Sequence, residues 1–370
     1  MEETHIYKGL AGITADYSSI SKVMPETNSL TYRGYAVEEL CEKKTFIDVA
    51  FLLVNGELPN AKEREAFTQS ERSKRGLTEE CLQMLQSLPK GTHPMDSLRT
   101  GVSFLGCEDD RIWDSSPATN LDKYIGLLAK IPCMIAASYR HYLGKEYIPQ
   151  DPSLGFCENF FHMCFGKVPA QEVIKAFDVS LILYAEHSFN ASTFTARVIT
   201  STTSDMYSAV CGAIGALKGP LHGGANEMVM HMLKEVGEPD SAEQWMLDAL
   251  AQKKKIMGFG HRVYRNGDSR VPTMKKYALK MAEFTGGEKW MKISAKLEDV
   301  MLREKGIYPN LDFPAGPAYY MMGFEIEMFT PIFVMSRIAG WAAHILEQNA
   351  DNKLIRPLSA YNGVGQREVL

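Results

Sequence analysis

The stretch TPIFVMSRIAGWAAHILEQN, residues 330–349, stays apolar for about five helical turns while carrying Arg337 and His344 inside it. A helix apolar around most of its circumference has to be enclosed by other elements, so the fold must supply neighbours on nearly every side. It holds Arg337 and His344 and fewer than the roughly 20 apolar residues that a bilayer span requires, which makes it a core helix. Arg337 is then the puzzle. Burying a guanidinium costs on the order of several kcal/mol unless an anion meets it, so it either pairs with an internal carboxylate or faces a ligand.

The rest of the chain supplies the enclosing helices. AVEELCEKKTFIDVAFLLVNG (36–56) and NLDKYIGLLAKIPCMIAASYRHYLG (120–144) place apolar residues three and four apart. PAQEVIKAFDVSLILYAEHS begins on a proline suited to a first helical turn, is expected to run to His187, and VPTMKKYALKMAEF likewise has proline at its start. In SAEQWMLDALAQKKK, Ser241 and Gln244 have capping-box spacing, and Lys253, Lys254 and Lys255 fall in the expected last turn. Thr330 is the expected cap of the long apolar helix, with Pro331 behind it. Only near the start do β-branched residues mix with Gly and Asn, in KGLAGITADYSSI (8–20) and NSLTYRGY (28–35), which suggests a small hairpin. The expected class is all-α with a small N-terminal β-hairpin. A length of 370 residues favours a large domain with a smaller companion, hence a cleft.

Several functions are disfavoured. A net charge of −5 gives no broad attraction to nucleic acid or to a membrane. MEETHIYKGL lacks the basic flank and apolar run of a signal peptide, so the expected location is cytoplasmic. The seven cysteines are odd in number and contain no C-x-x-C pair, which argues against a disulfide framework and a zinc cage.

Four islands combine polar chemistry with tight turns: YAEHSFNASTF (184–194), GPLHGGANE (219–227), GFGHRVYRNGDSR (258–270) and PNLDFPAGP (309–317). Taken singly, each fits an ordinary core or loop residue; together they point to a site. No G-x-S-x-G elbow supports a hydrolase. GFGHRV lacks the third glycine of a dinucleotide loop, and no Walker loop occurs. His187, His222 and His261 have none of the usual metal-ligand spacings, so no metal is expected. What remains is acid/base chemistry on an anionic substrate. His222, at the start of the expected helix GANEMVMHMLKEV, would be kept neutral by the helix dipole and act as a hydrogen-bond donor to a carbonyl. Gly223 and Gly224 would let a bulky ligand approach the backbone. An aspartate on a Pro/Gly-rich turn can serve as a base, and arginines can clamp carboxylates.

LHGGAN, GFGHRVYRNGDSR, PNLDFPAG and FTPIFVMSRIAGWAAHILEQ…RPLSAYNG, in this order, resemble the citrate synthase family, and the likeness extends back to IYKGLAGITAD and LTYRGYAVEEL. FNASTFTARVI, SDMYSA and DFPAGPAYYMMGF resemble the 2-methylcitrate and dual-specificity members more than strictly acetyl-CoA-selective ones. The resemblance implies a homodimer with a large domain (residues 1–220 and 325–370) and a small closing domain (221–324). It implies condensation of propionyl-CoA or acetyl-CoA with oxaloacetate, the thioester being a co-substrate and no cofactor being permanently bound; the alternative is an enzyme selective for acetyl-CoA. Asp312 would be the base, His222 would stabilise the enol, and His261 would protonate the oxaloacetate carbonyl. His187, Arg270 and Arg337 would hold oxaloacetate, with Arg356 reaching in from the partner subunit. Lys255, Ile256, Met257, Gly258 and Phe259 would line the CoA site, with Lys253, Lys254, Arg72 and Arg75 as further candidates; His231 and His344 match no catalytic position. A non-catalytic CoA-binding member would have a broken catalytic set, whereas His222, His261 and Asp312 are all present.

Overall fold

A computed structural model describes residues 6–264 and 266–369; Met1–His5, at the start of the segment examined for a signal peptide, Arg265 of GFGHRVYRNGDSR, and Leu370 lie outside the described residues. Among the described residues, sixteen α-helices follow a three-stranded antiparallel sheet of β1 (Ser21–Met24), β2 (Ser29–Tyr32) and β3 (Tyr35–Ala36), in the order β1-β2-β3. The first strand therefore starts where the expected KGLAGITADYSSI strand ends. Lys8–Leu10 is instead a short 3-10 turn, with Gly9 and Leu10 at positive φ.

The first helices are α1 (Val37–Lys43), α2 (Phe46–Asn55), α3 (Ala61–Ser73), α4 (Glu79–Ser87), α5 (Pro94–Cys107), α6 (Pro117–Tyr142) and α7 (Phe156–Phe165). There follow α8 (Gln171–Tyr184), α9 (Ala191–Ser201), α10 (Met206–Leu217), α11 (Ala225–Val236) and α12 (Ala242–Ala251). The last are α13 (Val271–Thr285), α14 (Glu288–Lys305), α15 (Asp312–Met321) and α16 (Phe329–Ala350). α16 is the apolar helix of the opening argument. With the short 3-10 turn before it, it is long and apolar enough to cross a membrane by length and composition, but its surface is enclosed by the fold. It packs on α2, α6, α8, α9 and α10. A second group, α11 to α15, packs largely on its own members, with α13 also meeting α8.

Helix ends depart from expectation where a 3-10 turn precedes the helix. Pro239–Ser241 forms such a turn, so Ser241 makes no side-chain cap, and Gln244 bonds Asp248 instead. Ile326–Met328 does the same before α16, placing Thr330 inside the helix, where its hydroxyl donates to Glu227. α8 stops at Tyr184, three residues before His187, and Pro169 precedes its N-cap Ala170 rather than occupying the first turn. α12 ends at Ala251, and Lys253 turns the chain at φ 57°, so the three lysines follow the helix instead of closing it.

Candidate active site

Two short connections leave the long helices where α8 ends and where α10 ends. The first, Ala185–Asn190, carries His187. Ser188 sits at φ 51°, a strained conformation for a non-glycine residue, and Asn190 caps α9 by accepting the Thr193 N–H. The second folds GPLHGG back on α10. A Cβ at Gly223 would lie 2.6 Å from the Leu217 side chain and 2.8 Å from its carbonyl oxygen, and one at Gly224 would lie 2.9 Å from the Lys218 carbonyl oxygen. These glycines are thus required by the turn itself, whatever room they also leave for a ligand.

The turn aims His222 at the start of α9. Its Nε2 accepts the Ser192 N–H at 3.3 Å and lies 2.8 Å from Ser192 Oγ. With Nε2 an acceptor, the single proton of the neutral ring is on Nδ1. Burial, and then the charge of Arg337, pull its pKa down to about 3. A neutral donor was expected, but on the dipole of the helix that follows. The structure gives burial, and the amide that meets the ring belongs to α9.

His261 is set up in the mirror sense. Its Nδ1 accepts the N–H groups of Val263 at 3.0 Å and Tyr264 at 3.2 Å, leaving the proton on Nε2. Burial and the nearby Arg270 lower its pKa to about 4. The strand-like piece before it, with Gly258 at φ 83° and Gly260 at φ 80°, is stitched to the residues ahead of α15. Gly260 N–H donates to the Tyr308 carbonyl at 2.8 Å, and Asn310 N–H to the Gly258 carbonyl at 2.9 Å. A Cβ at Gly258 would lie 2.5 Å from Val229 Cγ2, so close packing as well as φ demands glycine. Phe259 packs against Phe313, the rings tilted by 53° with centroids 4.5 Å apart.

Asp312 is the first residue of α15. Its Oδ1 accepts the Tyr184 hydroxyl at 2.7 Å, and its backbone N–H donates to Asn310 Oδ1 at 3.1 Å. Burial pushes the carboxyl up to about 6, against the downward pull of the Tyr184 hydroxyl and of Arg270. His187 is buried, its ring 5.0 Å from that of His261 and 5.6 Å from Tyr264, and among the described residues its Nε2 has no hydrogen-bond partner. Burial, reinforced by Arg270, His261 and Arg337, holds its pKa well below the ordinary imidazole value.

The two buried arginines differ. Arg270 makes a bidentate pair with Asp268, at 2.9 Å from Nε and 2.7 Å from the terminal nitrogen, and Asp268 also accepts the Leu311 N–H at 3.2 Å. That carboxylate therefore ties the His261 loop to the start of α15. Arg337 donates from Nε to the Tyr184 carbonyl at 2.6 Å and lies over the Phe333 ring at 4.8 Å. One of its terminal nitrogens has no partner, and among the described residues no carboxylate lies within ion-pair distance of it. Burial drags its pKa down to about 10. Of the two alternatives posed by the sequence, no direct carboxylate pair forms among the described residues, although buried Glu186 acts on Arg337 at longer range, and a donor is left free to meet a ligand. The Phe333 ring closes the group, 4.1 Å from Tyr184 and 6.1 Å from His222.

The fold thus brings His187, His222, His261, Arg270, Asp312 and Arg337 together. It does not bring all the candidates there. Arg75, just beyond the end of α3, is consumed by Glu71 and by the carbonyls of Asp151 and Leu154, and Arg72 lies in the last turn of α3. The expectation that this pair contacts phosphate or substrate is corrected for Arg75, whose donors are all turned inward. Lys254 pairs with Glu235 and covers the Trp245 ring; Lys253 and Lys255 are exposed, and Ile256 and Met257 lead into buried Gly258. Arg356 is exposed on the segment after α16, away from the other site residues in sequence and without helix or strand around it. His344 is buried between Glu186 and Arg197, in keeping with a structural place, and His231 is an exposed residue of α11.

Tyr184, Ser192, Asp268, Asn310 and Phe333 complete the group although none was singled out from the sequence. Asp268 had a readable signal, a carboxylate two residues from an arginine that needed one. Ser192 and Phe333 had none, because their roles depend on which helices meet. Among the described residues, no group of three or more His, Cys, Asp or Glu side chains is arranged to hold a metal ion.

The profile described as citrate synthase, C-terminal domain, matches residues 9–358. The chain belongs to the citrate synthase family. It is 55% identical to a 2-methylcitrate synthase of Mycobacterium tuberculosis, over 99% of this chain and 93% of that protein. It is 52% identical to a citrate synthase of Mycolicibacterium smegmatis, over 100% of this chain and 98% of that one. Its fold superposes with a TM-score of 0.95 on the citrate synthase of Thermoplasma acidophilum in a ternary complex with carboxymethyl coenzyme A and oxaloacetate. That structure is 30% identical and covers 99% of this chain and 98% of its own. The all-helical class and the family expected from the motifs both stand.

Proposed function

We propose that this chain condenses a short acyl-CoA with oxaloacetate and water, giving 2-methylcitrate from propionyl-CoA or citrate from acetyl-CoA, with release of CoA. The observation that carries the reading is buried Arg337, cationic, with an unpartnered donor, beside Arg270 and three histidines that burial keeps neutral. Such a site disfavours any further cation and is prepared for a dianion.

The reaction follows from the proton positions. Asp312, whose pKa of about 6 makes it a carboxylate of useful basicity near neutrality, takes the proton from the α-carbon of the thioester. His222 donates from Nδ1 to the thioester oxygen as the enol forms. The enol carbon attacks the oxaloacetate carbonyl, and His261 supplies the Nε2 proton to the oxygen that becomes the alcohol. Water then cleaves the thioester, CoA leaves, and the hydrolysis makes the sequence irreversible. His187, Arg270 and Arg337 hold oxaloacetate, with Arg356 contributed by the partner subunit of a homodimer. Residues 253–259 form the CoA side of the site; the stitching of 258–260 to 308–310 supports this, since it brings that segment against the start of α15. The separate packing of α11 to α15 supports a small domain over 221–324 that closes on a large one of 1–220 and 325–370, excluding water until the carbon bond is made.

Both acyl chains are proposed as substrates because relatives named for each product match over nearly the whole chain; propionyl-CoA is favoured on the likeness of FNASTFTARVI, SDMYSA and DFPAGPAYYMMGF to 2-methylcitrate synthases. An apolar wall discriminates one methylene by only about 1–3 kcal/mol. Oxaloacetate-dependent thiol release measured with each thioester tests the preference: a kcat/KM clearly higher for acetyl-CoA would select the acetyl-specific reading.

A further inference from the structure

The turn that carries His187 is held from outside the helical body. Ser188 is in the left-handed region at φ 51°, and the residue on the other side of His187, Glu186, has its side chain fully buried. A strained turn persists only when its surroundings over-determine it. Two residues of the N-terminal sheet do this. Ser21, the first residue of β1, is the register partner of Tyr32 on β2, and cross-strand partners present their side chains on one face of the sheet.

That face meets the turn. Ser21 Oγ donates to Glu186 Oε1 at 2.9 Å and accepts the Ser188 N–H at 3.0 Å. Tyr32 Oη accepts the Glu186 N–H at 3.2 Å and lies 3.0 Å from both the Ile182 and Glu186 carbonyl oxygens. One hydroxyl therefore bridges the residue before His187 and the residue after it, with its donor and its acceptor both used. Glu186 cannot relax away from this bridge, because His344 Nε2 holds the same oxygen at 2.9 Å and Gly340 of α16 leaves room for the carboxylate only by lacking a Cβ.

We infer that Ser21 is a positioning residue for oxaloacetate, acting through the turn that presents His187. The small sheet, remote in sequence from every reacting group, is by this account part of the substrate site. The inference rests on the assignment of His187 to oxaloacetate made above. Ser21 touches no substrate. Its removal therefore loosens the binding of one substrate selectively.

The test compares Ser21→Ala, Ser21→Thr and His187→Asn in the full-length enzyme, reading the oxaloacetate dissociation constant by calorimetry, the KM for each substrate, kcat and the melting temperature. Ser21→Ala is expected to weaken oxaloacetate binding by roughly tenfold, the scale of one lost buried hydrogen-bond bridge, with the KM for acyl-CoA unchanged. Ser21→Thr, which keeps the hydroxyl, restores the wild-type value. If His187→Asn weakens oxaloacetate binding while Ser21→Ala does not, the inference fails alone. If neither variant affects oxaloacetate, the assignment of His187 fails and takes the inference with it. A Ser21→Ala enzyme that melts earlier and loses kcat without a selective change for oxaloacetate would make Ser21 merely structural and overturn the proposal.

Discussion

At the scale of single residues, the site works by dividing two tasks. Burial sets the acid strength of the three histidines and Asp312, while backbone N–H groups choose which histidine nitrogen keeps the proton. Because His222 and His261 stay neutral down to about 3 and 4, neither adds a limb to a pH profile near neutrality. Asp312 does. Its carboxylate is the active form, so kcat/KM is expected to be flat above a pH of about 6 and to fall tenfold per unit below it. The Tyr184 hydroxyl stabilises that carboxylate and thus lowers its pKa. Tyr184→Phe should move the limb to higher pH by about one unit, the size of a charge-assisted hydrogen bond of ~1.5 kcal/mol. A profile measured from pH 5 to 9 checks this; an unmoved limb, or one displaced to lower pH, would mean that Tyr184 does not act on the base.

Among the elements, what the sequence disclosed and what it withheld have separate causes. α16 was legible because its apolar period and its lone buried arginine are intrinsic to one segment. Five residues of the site, His187, His222, His261, Arg270 and Asp312, were legible because each sits in a turn-rich island, where tight backbone and polar side chains coincide, and Arg337 because it is a charge within the apolar period of α16. Helix starts were not. Ser241 and Thr330 have the right chemistry for caps, but a 3-10 turn extends each helix backward by one turn, and that turn is set by tertiary packing. The small sheet was placed too early in the chain because KGLAGITADYSSI has β-branched residues with no cross-strand partner to pair them, whereas SKVM meets SLTY in register. Gly223 and Gly224 were assigned to ligand approach, when contacts with the end of α10 already require them.

For the whole molecule, the segment after α16 stands out. It has no helix or strand among the described residues and is tied back by Asn352 and Ile355 to Ser201, with Leu354 at 58%, Leu358 at 88% and Tyr361 at 78% exposure. Exposed apolar side chains in one segment are available to a second copy of this chain under the dimer proposed above, and Arg356 lies among them. If Arg356 completes the partner's site, Asp312→Gly and Arg356→Ala chains, each inactive alone, regain activity when co-expressed, since one site of the mixed dimer is then wild type. Were Arg356 to act within its own chain, every site would keep one lesion and no activity would return. The central claim is that these six residues, with Asp312 as the base, form one site for acyl-CoA and oxaloacetate. Its most direct test is thiol release from propionyl-CoA or acetyl-CoA by wild type and Asp312→Gly, with oxaloacetate binding followed in parallel. The prediction is oxaloacetate-dependent release by wild type, none by Asp312→Gly, and oxaloacetate binding largely intact in both; loss of release and of oxaloacetate binding together, or release undiminished in the variant, would contradict it.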